Sequence, residues 1–262
     1  MPTINQLTTF LESFAPLRLA EDWDNVGLLV GDRKAAADRV MTCLTVTPSS
    51  AAEAIRRNAN IIVTHHPLPF KPLKRITTDN VPGQLLYDLI RGNVAIYSPH
   101  TAFDSAAAGI NQQLAESLGL TNIKPLVASE QETDPGSGRY GALPKSTTVQ
   151  DVADNLKSTL KIENVKCVGD PSKGVSKGAV ACGSAGSFLG AAKRHGCDLF
   201  VTGETTFHTC LEAEALGVAM LLVGHYASER FACEKLAEII QAEFGDAEVW
   251  ASEDESDPLR SV

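Results

Sequence analysis

The sequence predicts an α/β protein of two lobes, and three observations carry this. Short runs of β-branched and other apolar residues, such as Ile61-Ile62-Val63 and Val94-Ala95-Ile96-Tyr97, read as buried strands. Stretches of near-helical apolar spacing lie between them, the alternation expected of α/β folds. The chain has 262 residues, enough for a large core, and a polar Gly- and Pro-rich stretch at 128–140 reads as a linker or loop. The lobes are expected at 1–127 plus 216–262 and at 128–215.

In chain order, Ile4, Leu7, Leu11 and Phe14 predict a helix capped by Thr3. In the stretch Ala20 to Asp32 the acidic cluster is either functional or, the favoured reading, a structured loop whose Asp and Asn cap turns, with Trp23 packing. A strand is expected over Val40 to Val46 and a helix over 49–57, opened by Pro48-Ser49. After the strand 61–63 comes a basic cluster, Lys71, Lys74 and Arg75, suited either to an anionic group or to a solvated loop. Helices are expected at 82–91, 107–118, 148–160 and 228–244, and one starts near Phe188. Further strands are expected at 94–97, 165–168, 178–182, 198–204 and 218–223. The loop Cys182 to Ser187 reads as a tight strand-to-helix turn, with an anion cradle as the alternative. His195 reads as a surface residue. The acidic segment Ser252 to Asp257 is expected to be loose.

Composition narrows the function classes. Hydrophobic residues make up 44% and charged residues 21%, ordinary for a globular protein. The net charge of −9 argues against nucleic acid or an anionic membrane as the main partner. Met1-Pro2-Thr3-Ile4-Asn5 lacks the basic start of a signal peptide, and no apolar run approaches the ~20 residues of a membrane span. The six cysteines are scattered without a C-x-x-C pair, against a disulfide framework or a structural zinc site. A cytoplasmic protein acting on a small molecule is the expectation.

The chemistry concentrates where strands end. Thr64-His65-His66-Pro67 closes one strand, Ser98-Pro99-His100 closes a second, and Gly224-His225 closes a third. Ligands of open α/β sheets bind beyond carboxyl strand ends. Neighbouring side chains there point apart, so His65 and His66 suit one ligand to each of two ions. Asp104 and Glu229 each follow a strand-end histidine by four residues. On the helix 228–244, Glu229 shares a face with Leu236 and Ile240, so it points inward and needs a partner or a cation. His65, His66, His100, Asp104, His225 and Glu229 are thus expected at one rim of one sheet. Imidazole and carboxylate without thiolate suit two divalent ions of Zn, Mn, Fe, Ni or Co. His208 and His100 are candidates for supporting the ligands or moving protons. No nucleophile elbow and no activated cysteine is present.

These motifs resemble the Nif-three-like proteins (NGG-one-interacting factor three), also called GTP cyclohydrolase 1 type 2 homologues. The resemblance rests on Glu21 to Leu28, T-H-H-P at 64–67, H-T-x-x-D at 100–104, T-G-E-x-x-x-H at 202–208 and G-H-Y-x-S-E at 224–229. It implies two α/β lobes with mixed sheets, a toroidal homohexamer and a dinuclear metal centre. The implied ligands map onto His65, His66, Asp104, His225 and Glu229. It also implies opening of the guanine imidazole ring of GTP by metal-activated water. The length fits members without an extra middle domain. Thr45 departs from the pattern, standing where many relatives carry an aspartate. The expected function is a dinuclear metal-dependent hydrolase of a small anionic or nucleotide-like substrate, with Glu229 bridging the ions. The alternative is a non-catalytic metal-binding regulatory or assembly protein.

Overall fold

The computed structural model describes residues 1–129 and 134–260. Its helices are α1 (Ile4–Phe14), α2 (Pro48–Arg56), α3 (Val81–Arg91), α4 (His100–Ser105), α5 (Ile110–Ser117), α6 (Val149–Leu160), α7 (Leu189–Arg194), α8 (Phe207–Leu216) and α9 (His225–Glu243). The strands are β1 (Gly27–Val30), β2 (Arg39–Cys43), β3 (Ile61–Thr64), β4 (Ala95–Ser98), β5 (Thr121–Val127), β6 (Ser137–Thr148), β7 (Lys166–Val168), β8 (Gly174–Ala181), β9 (Leu199–Thr202), β10 (Ala219–Leu222) and β11 (Glu248–Ala251). Residues 1–103 with 232–262 form one compact unit and 104–231 the other. The boundaries therefore fall at 103/104 and 231/232 and not at the expected 127/128 and 215/216, because β5 and β10 pair within the second unit's sheet.

The first unit is built on a sheet of order β1-β4-β3-β2-β11, parallel except for β1. Met41, Cys43, Ile62 and Ile96 face the apolar sides of α2 and α3, supplied by Ala51, Ala54, Leu85 and Leu89. On α1, Thr3 and Gln6 form a reciprocal capping box, which satisfies backbone N–H groups that a helix start otherwise leaves open. Thr47 and Ser50 do the same for α2.

The acidic segment after β11 is not loose. Glu53, fully buried on α2, accepts from Trp250 Nε1 at 3.0 Å, Ser252 Oγ at 2.6 Å, Glu253 N at 3.0 Å and Asp254 N at 3.1 Å. Burial pushes the Glu53 carboxyl up, but these donors outweigh it and hold its pKa below the ordinary value. Charge density alone suggests a solvated tail; a buried carboxylate elsewhere in the chain supplies the anchor.

The second unit is built on a mixed sheet of order β5-β6-β8-β9-β10-β7. Its central strands β8, β9 and β10 are parallel and buried on both faces. Val180, Val201 and Leu221 meet α5 and α6 through Leu114, Val149, Val152 and Leu156. The alternate residues Ala179, Phe200 and Met220 meet α7 and α8 through Leu189, Ala192 and Ala213. Part of the expected loop at 128–140 is strand, since β6 begins at Ser137; residues 130–133 lie outside the described residues.

Candidate metal centre

In the first unit β3 delivers His65 and His66, and the neighbouring parallel strand β4 delivers His100. The backbone beyond β3 is fixed by His65 N donating to Cys43 O at 3.0 Å and His66 N to Leu44 O at 2.8 Å. Ser98 Oγ donates to His65 O at 2.6 Å, tying the two strand ends together. The three imidazoles then cluster, with one ligand atom from each within 4.8 Å of the others. Ring centroids lie 5.0 Å (His65–His66), 5.1 Å (His65–His100) and 5.5 Å (His66–His100) apart. His100 opens α4 at a φ of +26°, a sparsely populated backbone state for a residue with a Cβ.

Oxygen atoms orient these rings. Asp24 Oδ1 lies 2.8 Å from His100 Nδ1, and Asp24 Oδ2 accepts from Thr101 N at 3.1 Å and Thr101 Oγ1 at 2.5 Å. Burial pushes the Asp24 carboxyl up, but hydrogen bonds from His100 and Thr101 and the His100 charge hold it below the ordinary carboxylate value. Thr45 Oγ1 lies 2.7 Å from His66 Nδ1. Asp24 therefore does more than cap a turn, and Trp23, though 63% exposed, packs as expected, its ring 6.1 Å from that of Phe70 and 6.0 Å from that of His100. Lys71, Lys74 and Arg75 are exposed.

In the second unit α9 begins at His225, three residues earlier than expected, and so carries both His225 and Glu229 on adjacent turns. Glu229 is buried with Leu236 and Ile240, as the helical spacing predicts. His225 Nε2 lies 3.1 Å from Glu229 Oε2, and His225 Nδ1 lies 2.9 Å from Glu204 Oε1. The Glu229 hydrogen bond first, then the Glu229 charge and the hydrogen bond and charge of Glu204, raise the His225 pKa to about 9 against the opposing effect of burial. The turn after β8 packs on this pair. Gly183, at a φ of +68°, donates its N–H to Ser228 Oγ at 2.9 Å, and a Cβ there would meet Glu229 Oε1 at 2.4 Å. The Cys182 thiol is pushed well above its ordinary pKa by burial and by the charges of Glu229 and Asp104. Cys182 N donates to Asn111 Oδ1 at 2.8 Å, and Asn111 Nδ2 donates to Asp104 O at 3.0 Å.

One expectation is corrected. β10 belongs to the second sheet, paired with β9 across the α8 crossover, so His65, His66, His100 and His225 do not follow strands of one sheet. His208, in the first turn of α8, is exposed with its ring edge-on to Phe207 at 5.9 Å. The T-G-E-x-x-x-H motif instead contributes Glu204 to His225. Glu204 is a supporting residue that the sequence reading missed, and Asp24 takes the functional alternative that its acidic cluster left open. Both sit inside motifs noted in the sequence, and a carboxylate in a histidine-rich site is the signal that points to such a role.

Gly183→Ala is expected to displace Glu229 and weaken binding of added Zn(II), read by chelator competition. Gly174→Ala, whose Cβ meets nothing within 4 Å, serves as the control. Equal affinity in the two variants would contradict the packing argument.

Two α/β units, one carrying three clustered imidazoles and the other His225 paired with Glu229 and Glu204, define a candidate metalloprotein. The family described as Duf34/NIF3 (NGG1p interacting factor 3) matches residues 2–258, and the chain belongs to this family. The chain is 34% identical over 260 residues to a GTP cyclohydrolase 1 type 2 homolog of Clostridium perfringens, covering 99% of each. It is 32% identical over 246 residues to the GTP cyclohydrolase 1 type 2 of Helicobacter pylori strain 26695, covering 92% of this chain and 93% of that one. A Bacillus cereus protein related to NIF3 shares the fold at a TM-score of 0.91 and 24% identity, covering 100% and 99% of the two chains. No helix among the described residues is long and apolar enough to cross a membrane.

Proposed function

We propose that this protein is a dinuclear metal-dependent hydrolase acting on a small nucleotide-like or anionic substrate. The observation that carries the reading is the support of three imidazoles by oxygen at Nδ1: Thr45 for His66, Asp24 for His100 and Glu204 for His225. Histidines that bind metal are oriented by such a partner on the second nitrogen, which fixes the tautomer and raises ligand basicity. The donor set of imidazole and carboxylate fits Zn, Mn, Fe, Ni or Co. The ligand set that the family resemblance implies, His65, His66, Asp104, His225 and Glu229, would hold the ions. Bound divalent ions supply Lewis acidity and acidify water to a pKa near 7. The chain's own residues orient those ligands, and Asp24 steadies His100 for moving a proton. The exposed His208 is proposed as a second proton carrier, reached from solvent. The names of the curated relatives support a nucleotide as substrate, and a homohexamer is the proposed assembly.

The test is a panel of nucleotides, GTP included, offered to the Zn- or Mn-loaded protein. Turnover by the wild type that disappears in Glu229→Ala supports the reading. No turnover on any nucleotide by a loaded protein favours the non-catalytic metal-binding alternative.

Proton linkage offers a second check. His225 binds metal only as neutral imidazole, yet its pKa is about 9 in the metal-free protein. Metal uptake at pH 7.5 is therefore expected to release a proton, read as a dependence of calorimetric heat on buffer ionisation enthalpy. Because the pKa is raised from 6.5, the stability that charged His225 adds to the metal-free protein is full below about 6.5 and lost as pH climbs through about 9. Heats that do not depend on the buffer would contradict this.

A further inference from the structure

The acidic segment after β11 reaches the candidate site through a short run of contacts. β2 ends its pairing with β3 at Cys43 opposite Thr64, and its pairing with β11 at Thr42 opposite Ala251. One residue further, Ser252 N still donates to Thr42 O at 2.8 Å. Beyond that point no strand among the described residues supplies acceptors for the N–H groups of Leu44 and Thr45. Glu255 supplies both: Oε2 accepts from Leu44 N at 2.9 Å and Oε1 from Thr45 N at 2.6 Å. Glu255 is itself 9% exposed, so these bonds are sheltered from water.

The same two residues hold His66 twice. Leu44 O accepts from His66 N at 2.8 Å, and Thr45 Oγ1 lies 2.7 Å from His66 Nδ1. The segment is anchored at its other end by Glu53, and along its length by Arg57 with Glu253 at 3.1 Å and Arg56 with Asp254 at 2.9 Å.

We infer that residues 250–255 form a strap that sets the ring orientation of His66, with Glu255 and Thr45 as positioning residues. Glu255 fixes the Leu44–Thr45 backbone, and that backbone places the Thr45 hydroxyl against Nδ1. The ring is then held with its Nε2 edge turned away from Thr45. Two donors on one carboxylate hold the backbone more tightly than either alone, because they lie on successive peptide planes and holding both restricts rotation at Leu44 between them. The inference rests on the reading of His66 as a metal ligand.

The variants are Thr45→Val, which keeps the shape and removes the hydroxyl, Thr45→Ser, which restores it, and Glu255→Ala, which releases the backbone. Two readouts are needed. The first is the imidazole spectrum of the metal-free, ¹⁵N-histidine-labelled protein, with His66 assigned by loss of its signals in His66→Gln. The second is affinity for Zn(II) by chelator competition. Wild type and Thr45→Ser are expected to show one hydrogen-bonded tautomer at His66, and Thr45→Val and Glu255→Ala a mixture. Zn(II) affinity falls about 10–100-fold in Thr45→Val and Glu255→Ala, as for other partners of ligating histidines, and recovers in Thr45→Ser. A wild-type His66 spectrum in Thr45→Val overturns the role of Thr45. An unchanged His66 spectrum in a folded Glu255→Ala protein overturns the strap. If Glu255→Ala does not fold, the Thr45 pair decides the inference. A wild type that takes up no Zn(II), while Thr45→Val still alters the His66 spectrum, supports the hydrogen-bonded geometry and overturns the reading of His66 as a ligand.

Discussion

Glu229→Ala, and separately His65→Ala, are expected to lose metal and activity together while keeping the fold. Glu229 is buried at 4% exposure, in a pair with His225 and against Gly183. A carboxylate there is stabilised only by positive charge and hydrogen bonds, and its removal strips the centre of its proposed bridging ligand. The loss should exceed the roughly 10–100-fold typical of removing a partner behind a ligand. His65 is one of the three clustered imidazoles, 3% exposed, and its loss should match that of Glu229. Chelator competition and turnover, read beside thermal unfolding, check both variants. Wild-type turnover in either, with the metal retained, would contradict the assignment.

Arg139→Met is expected to be the most destabilising single change in the second unit. Arg139 is 3% exposed, and its guanidinium faces backbone oxygens. It donates to Gly136 O at 2.9 Å, Gly138 O at 2.6 Å, Ser105 O at 3.2 Å and Ala106 O at 2.8 Å, and its Nε donates to Gln112 Oε1 at 2.9 Å. Ser105 ends α4, so the cation also meets the negative end of the helix that carries Asp104. Burial lowers the Arg139 pKa, which marks the opposing cost of holding the charge there. Methionine fills the volume but leaves four carbonyls without their donor. At about 1–3 kcal/mol for each orphaned group, partly offset by removing a buried charge, the net loss is about 3 kcal/mol. Denaturant unfolding reads this directly, and a loss below about 0.5 kcal/mol, the scale of ordinary surface substitutions, would contradict it.

The strands and helices legible in the sequence are those whose signal is local. Ile61–Thr64, Ala95–Ser98, Leu199–Thr202 and Ala219–Leu222 are apolar runs bounded by polar turns, and α1 announces itself through Thr3 and apolar spacing. The elements missed depend on partners distant in sequence. β6 is polar and interrupted by Gly138, Gly141 and Pro144, and becomes a strand by pairing with β5 and β8. β1 and β11 are edge strands whose pairing partners are β4 and β2. α4 and the first turn of α9 were hidden because a histidine after a strand reads as loop.

The site divides in the same way. His65, His66, His100, His225 and the inward face of Glu229 follow from strand ends and helical periodicity. The sheet to which β10 belongs does not, since apolar alternation fits either sheet. The oxygen partners at Nδ1, Asp24 and Glu204, are separated from their histidines by 76 and 21 residues, so no local pattern pairs them. Glu255, which reads as one acid in an acidic tail, bonds Leu44 at a separation of 211 residues.

Elemental mass spectrometry of the purified protein counts its metal per chain. About two first-row transition ions per chain are expected, falling in Glu229→Ala and His65→Ala. A protein that carries none, and takes up none from added Zn or Mn, would contradict the dinuclear reading.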